Sequence, residues 1–160
     1  ASFNIRGPVS IHQSKSLSTV DVVSMQIVKS VNSVSGVESK SSDTMGTKHM
    51  INFGVYKIVG SVNVQLAEKS GFSQEDAALL KESLKTLFEN DASAARPDGS
   101  MEVCRLYWWQ HQEKTPLATS GKIQRGFSIK SKGGHPKSFE DYDIQWKLDG
   151  CVEPEVYDFV

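Results

Sequence analysis

Apolar and polar residues alternate with a period of two through most of this chain, and a period of 3.6 is confined to one stretch. That contrast restricts the fold. A strand turns successive side chains to opposite faces, whereas a helix gathers every third or fourth on one side. Val23, Met25, Ile27 and Val31 alternate with Ser24, Gln26 and Ser30 and mark a strand. Residues 3–12 are extended, with Pro8 at an edge or bulge because it has no N–H for a ladder. Residues 50–66 read as one long strand, with Tyr56, Ile58, Val62, Val64 and Leu66 on one face. The helix runs from about Ser73 to Glu89. Ser73 is a natural N-cap, Glu75 and Asp76 suit the positive end of the dipole, and Ala77, Leu80, Leu84, Leu87 and Phe88 form one apolar stripe. Residues 101–111 are aromatic and strand-like. Two alternating segments then flank a Lys-Gly-Gly-His-Pro turn and give a C-terminal β-hairpin over about 122–149. In the first, Ile123, Phe127 and Ile129 oppose Lys122, Gln124, Ser128 and Lys130; in the second, Tyr142, Ile144, Trp146 and Leu148 oppose Asp141, Asp143, Gln145 and Lys147. Strands, one helix, strands: the order is that of an α+β protein built on an antiparallel sheet. The 160 residues suit one domain with a sizeable core.

The stretch 32–47 departs from both periods. It is Ser-rich, carries two glycines and holds little apolar content, which makes it a long loop of the kind that carries function. Charge is also organised in blocks. Residues 1–60 carry a net +3, 61–102 a net −4, 103–138 a net +6 and 139–160 a net −6, although the whole chain stands at −1. Such blocks fit a polar partner for the basic segments, head-to-tail self-association, or ion pairs between strands of the fold, with the 122–149 hairpin the natural place for the last. Two cysteines, Cys104 and Cys151, are too few for a disulfide scaffold, and a cytoplasmic setting is the default. No apolar run reaches the roughly 18 residues of a spanning helix.

Catalytic chemistry is thinly represented. His12, His49, His111 and His135 show no metal-ligand spacing, and there is no phosphate loop, dinucleotide fingerprint or nucleophile elbow. No metal and no cofactor is expected. Asp141 and Asp143 fall on the polar face of a strand. Two features stand out. Thr44-Met45-Gly46-Thr47-Lys48-His49 joins the polar loop to a strand, and its Gly, Lys and His suit a phosphate backbone, with Met45 placed to wedge against bases. The alternative is a loop-to-strand junction with solubilising charge. The second feature is Trp108-Trp109, whose side chains point to opposite faces of a strand, one to core and one free to stack on a base, a sugar or another domain.

The order of several segments resembles a CRISPR-associated family, the repeated backbone subunit of the type I-C (Dvulg subtype) Cascade complex, of the crRNA-binding RAMP superfamily. Arg6-Gly7-Pro8-Val9-Ser10-Ile11 with Ser14-Lys15-Ser16 is similar to the family's Arg-Gly-Pro-Val-Gln-Leu…Ala-Arg-Ser. Met45-Gly46-Thr47-Lys48-His49 is similar to Met-Gly-Arg-Lys-His. Phe53–Tyr56, Leu66–Phe72, Asn90–Arg96 and Pro136–Tyr142 continue the likeness over essentially the whole chain. The resemblance implies an RRM-like (ferredoxin-like) domain over 1–160 with a thumb loop at about 32–47. It implies a non-catalytic subunit whose copies polymerise head-to-tail along one guide RNA, pair it with target DNA and contact other Cascade subunits, with no membrane involved. It places Arg6, Lys15, Ser16, Thr44, Met45, Gly46, Lys48 and His49 at the RNA. Ala92 and Thr47 replace family arginines, and the family's Gly-Asn-Ala-Pro-Ala-His stretch has no counterpart around 115–124. The family also has a first strand and helix before Arg-Gly-Pro-Val, so this chain is expected to be an N-terminally shortened form. Two competing readings are a metal-independent ribonuclease using His49 or His12 as general base, and a β-rich carbohydrate- or protein-binding module using Trp108 or Trp109.

Overall fold

The computed structural model describes residues 4, 6–28, 45–111 and 114–160. Its first half is an antiparallel ribbon. β1 (Val9–Ile11) pairs with β6 (Gly60–Val62), β2 (Lys15–Ser16) with β5 (Tyr56–Lys57), and β3 (Val22–Val28) with β4 (Met45–Ile51). These three ladders follow the same two chain segments. Between Ile11↔Gly60 and Lys15↔Lys57, three residues face two; between Ser16↔Tyr56 and Val22↔Ile51, five face four. Each step inserts one extra residue in the N-terminal arm, which is a bulge and a local twist. Hydrogen bonds from His12 N to Val59 O (2.8 Å), Leu17 N to Val55 O (2.8 Å) and Asn52 N to Asp21 O (3.3 Å) carry the pairing across the gaps.

The long strand expected over 50–66 is therefore corrected. Its regular ladder is broken at 52–55 and 58–59, and it stops at Val62. α1 (Val64–Ser70) follows, because Asn63 caps it by accepting from Leu66 N and Gly71, at φ 76°, ends it. α2 (Gln74–Lys85) begins as the sequence indicates, at Ser73. The Ser73 hydroxyl accepts from Asp76 N, and the Asp76 carboxylate accepts from Ser73 N at 2.8 Å. It ends four residues before Glu89, with Thr86 as its C-cap.

The second half holds two more ladders. β7 (Arg105–Trp108) pairs with β10 (Glu155–Asp158), a strand the alternation pattern did not mark. β8 (Phe127–Ser131) pairs with β9 (Tyr142–Trp146), and the pairing extends through Lys132 N to Asp141 O and Lys147 N to Gly126 O. The segment 122–125, read as strand, is instead part of α3 (Ser120–Arg125), capped by Thr119. Likewise the single helix expected becomes three α-helices among the described residues. The fold is mixed α+β, with small two-stranded antiparallel ladders; no ladder among the described residues joins more than two strands.

An aromatic cluster joins these pieces. Tyr107 and Trp109 each meet Phe127 edge-on (centroids 5.0 and 5.9 Å), and Trp109 lies 5.3 Å from Trp146. Trp146 Nε1 donates to Ile123 O at 2.9 Å, and the hydroxyls of Ser18 and the buried Tyr142 share a 2.5 Å hydrogen bond that ties the ribbon to the hairpin. Trp108 faces the other way, beside Gln74, Ala77 and Lys81 of α2. Both indoles are half-buried. The charge blocks meet between elements. Lys81 pairs with Glu155 at 2.8 Å and Arg105 with Asp158, across α2, β7 and β10 rather than within the β8–β9 hairpin.

Candidate nucleic-acid interface

Of the residues singled out for RNA contact, those described lie along the ribbon or just ahead of it. Arg6 is exposed just ahead of β1, and Lys15 and Ser16 form β2. Met45, Gly46, Lys48 and His49 belong to β4, so the strand begins inside the stretch read as loop. Thr44, and most of the 32–47 segment, lie outside the described residues.

The β4 residues do not form one cluster. Alternation sends Met45, Thr47 and His49 to one face and Gly46, Lys48 and Met50 to the other. On the first face the Ser24 hydroxyl meets His49 Nδ1 at 2.9 Å, and Gln26 Nε2 donates to Met45 Sδ at 3.2 Å. On the second, Lys48 sits opposite Met25 and donates its ammonium to the carbonyl of Ala94. That bond brings the 91–96 turn, where Arg96 pairs with Asp91 at 3.1 Å, against the ribbon. Both ribbon faces remain open: Val28 is 61 % exposed and Met45 65 %, with Val22, Met25 and Ile27 also exposed.

The half-buried cations divide into two groups. Lys81, Lys85 and Arg105 each have a carboxylate partner, in Glu155, Glu82 and Asp158. Lys48 and Lys57 have none among the described residues. Both of these lie on the ribbon. Burial pushes the Lys57 ammonium below its ordinary pKa. The signal of Lys57, a Lys directly across from Lys15, exists only once the register is known.

Acid–base chemistry is not assembled here. Among the described residues no carboxylate is bonded to His49, whose ring partner is Ser24, and no group of three or more His, Cys, Asp or Glu could hold a metal. No helix of the described residues is long and apolar enough to cross a membrane.

Residues 2–147 match the family model of CRISPR-associated protein Cas7. The chain belongs to the Cas7 family. Cas7 proteins are the non-catalytic, crRNA-binding backbone subunits of type I Cascade complexes, so the chain is an RNA-binding scaffold in antiviral defence and not a ribonuclease. Its partners as a Cas7 protein are crRNA and the Cascade complex. No curated protein matches the chain.

Proposed function

We propose that this Cas7 chain is the type I-C subunit, acting in the cytoplasm, and that its copies polymerise head-to-tail along one guide RNA beside the other Cascade subunits, presenting the guide to target DNA. In this reading residues 1–160 form one RRM-like domain whose ladders become parts of a larger sheet, with the thumb over about 32–47. Arg6, Lys15, Ser16, Thr44, Met45, Gly46, Lys48 and His49 contact the RNA. One observation carries the assignment: an exposed ribbon holds most of these residues, and its half-buried Lys48 rests on a neutral carbonyl rather than a carboxylate. A phosphate oxygen accepts a stronger, charge-assisted hydrogen bond than a carbonyl, so RNA displaces Ala94 at favourable cost. The blocks of opposite charge supply unlike surfaces for a head-to-tail polymer.

Lys48→Glu tests the assignment. Phosphate contacts position a chain without reading sequence, so the variant weakens binding to every single-stranded RNA alike and flattens the salt dependence. Titration of labelled RNAs of several sequences reads this directly. Unchanged affinity in the variant removes Lys48 from the interface.

A further inference from the structure

We propose that Lys57 is a further phosphate-backbone contact, acting with Lys15 across the β2–β5 ladder; the inference rests on the RNA-binding reading above. The register sets Lys15 and Lys57 directly opposite each other. Opposed residues of an antiparallel pair project from the same face with Cβ atoms about 5 Å apart, and like charges so placed repel. The Lys57 ammonium lies 4.6 Å from the centroid of Phe127, whose ring meets those of Tyr107 and Trp109 edge-on. The contact is a cation–π attraction that fixes the charge without neutralising it.

A half-buried cation ordinarily acquires a carboxylate, and Lys81, Lys85 and Arg105 in this chain do so. Lys57 instead has a second cation across from it and no acidic partner within ion-pair distance among the described residues. The missing member of this arrangement is an anion. A phosphodiester fits, because Lys15 is exposed on the same face and leaves a path for it from solvent. The ligand class is therefore the ribose-phosphate backbone, gripped without base readout.

The test titrates the full chain with a labelled single-stranded RNA over a range of salt, comparing the unaltered protein with Lys57→Gln, Lys57→Arg and Lys15→Gln. Removing one cation from the phosphates of a single strand flattens the slope of log K against log salt by about 0.7. Lys57→Gln is expected to show that flattening, Lys15→Gln a similar one, and Lys57→Arg the unaltered slope, since it keeps the charge. A merely structural role for Lys57 would shift affinity without changing the slope. Amine labelling of the unaltered chain gives a reading that does not depend on any variant folding: RNA is expected to protect Lys15 and Lys57 and to leave exposed Lys147 reactive. If the unaltered chain binds RNA, yet Lys57→Gln keeps its slope and Lys57 is not protected, the inference is overturned and the family reading stands. If the unaltered chain binds no RNA, both are overturned.

Discussion

Lys57 carries a burial cost in the free chain that the proposed phosphate contact would offset. Its pKa is lowered by burial, so its charged form is disfavoured in the folded state, and stability rises as pH climbs through the lowered pKa toward the ordinary lysine value. The cation–π contact returns about 0.5–1 kcal/mol, of the same order as the repulsion from Lys15, so the two nearly cancel. Lys57→Met is accordingly expected to leave the stability of the free chain within about 1 kcal/mol of the original in denaturant unfolding, because the sulfur replaces the ammonium at the ring. A larger loss would make Lys57 a structural anchor. Gly126 is constrained in the opposite sense. A Cβ there would lie 2.8 Å from Trp146 Nε1 and 3.0 Å from Lys147 O, so the helix-to-strand corner closes only on glycine. Gly126→Ala is expected to cost about 1–3 kcal/mol in urea unfolding, since both neighbours are fixed by the β8–β9 ladder. Neither constraint was legible in the sequence, because each depends on a partner tens of residues away. His49 was legible as polar strand chemistry, but its Ser24 partner needed the register.

Among the elements, α2 was legible because cap, dipole and stripe agree on it. Ser73→Ala removes the capping bond to Asp76 and is expected to cost about 1 kcal/mol, measured by urea unfolding. α1 and α3 were hidden for a physical reason. Each is short, so its apolar residues also satisfy a strand pattern, and the caps Asn63 and Thr119 and the terminating Gly71 were the signals that outweighed it. β10 was missed because its four residues gain their place from Arg105–Asp158 and Lys81–Glu155 pairs made with distant elements. The connection between β8 and β9 carries a pH prediction. Backbone N–H groups of Lys137 and then Ser138 bond Asp141 and hold its pKa below the ordinary aspartate value. A depressed carboxylate pKa contributes stability in full above the ordinary value and loses it as pH falls through the depressed one. The midpoint of the unaltered chain should therefore drop more steeply than that of Asp141→Asn as pH falls into the acid range. Parallel acid limbs would assign Asp141 no part in the turn.

At the scale of the whole molecule, the ribbon leaves many apolar side chains open. Among the described residues only Pro8, Ala118, Ile123 and Tyr142 are buried, while Ile11, Val22, Ile27, Val28 and Met45 of the ribbon stand exposed. The RNA and neighbouring copies proposed above would cover these side chains. Of the readings that the charge blocks left open, ion pairs within the fold are present: part of the acidic C-terminal block meets Lys81 and Arg105. The measurement that tests the central claim most directly is fluorescence anisotropy of a labelled single-stranded RNA titrated with this chain at two salt concentrations, with duplex DNA as control. Tight, sequence-tolerant binding to RNA that weakens as salt rises, and much weaker binding to the duplex, is expected. Binding that ignores salt, or that is equal for RNA and duplex DNA, would contradict it.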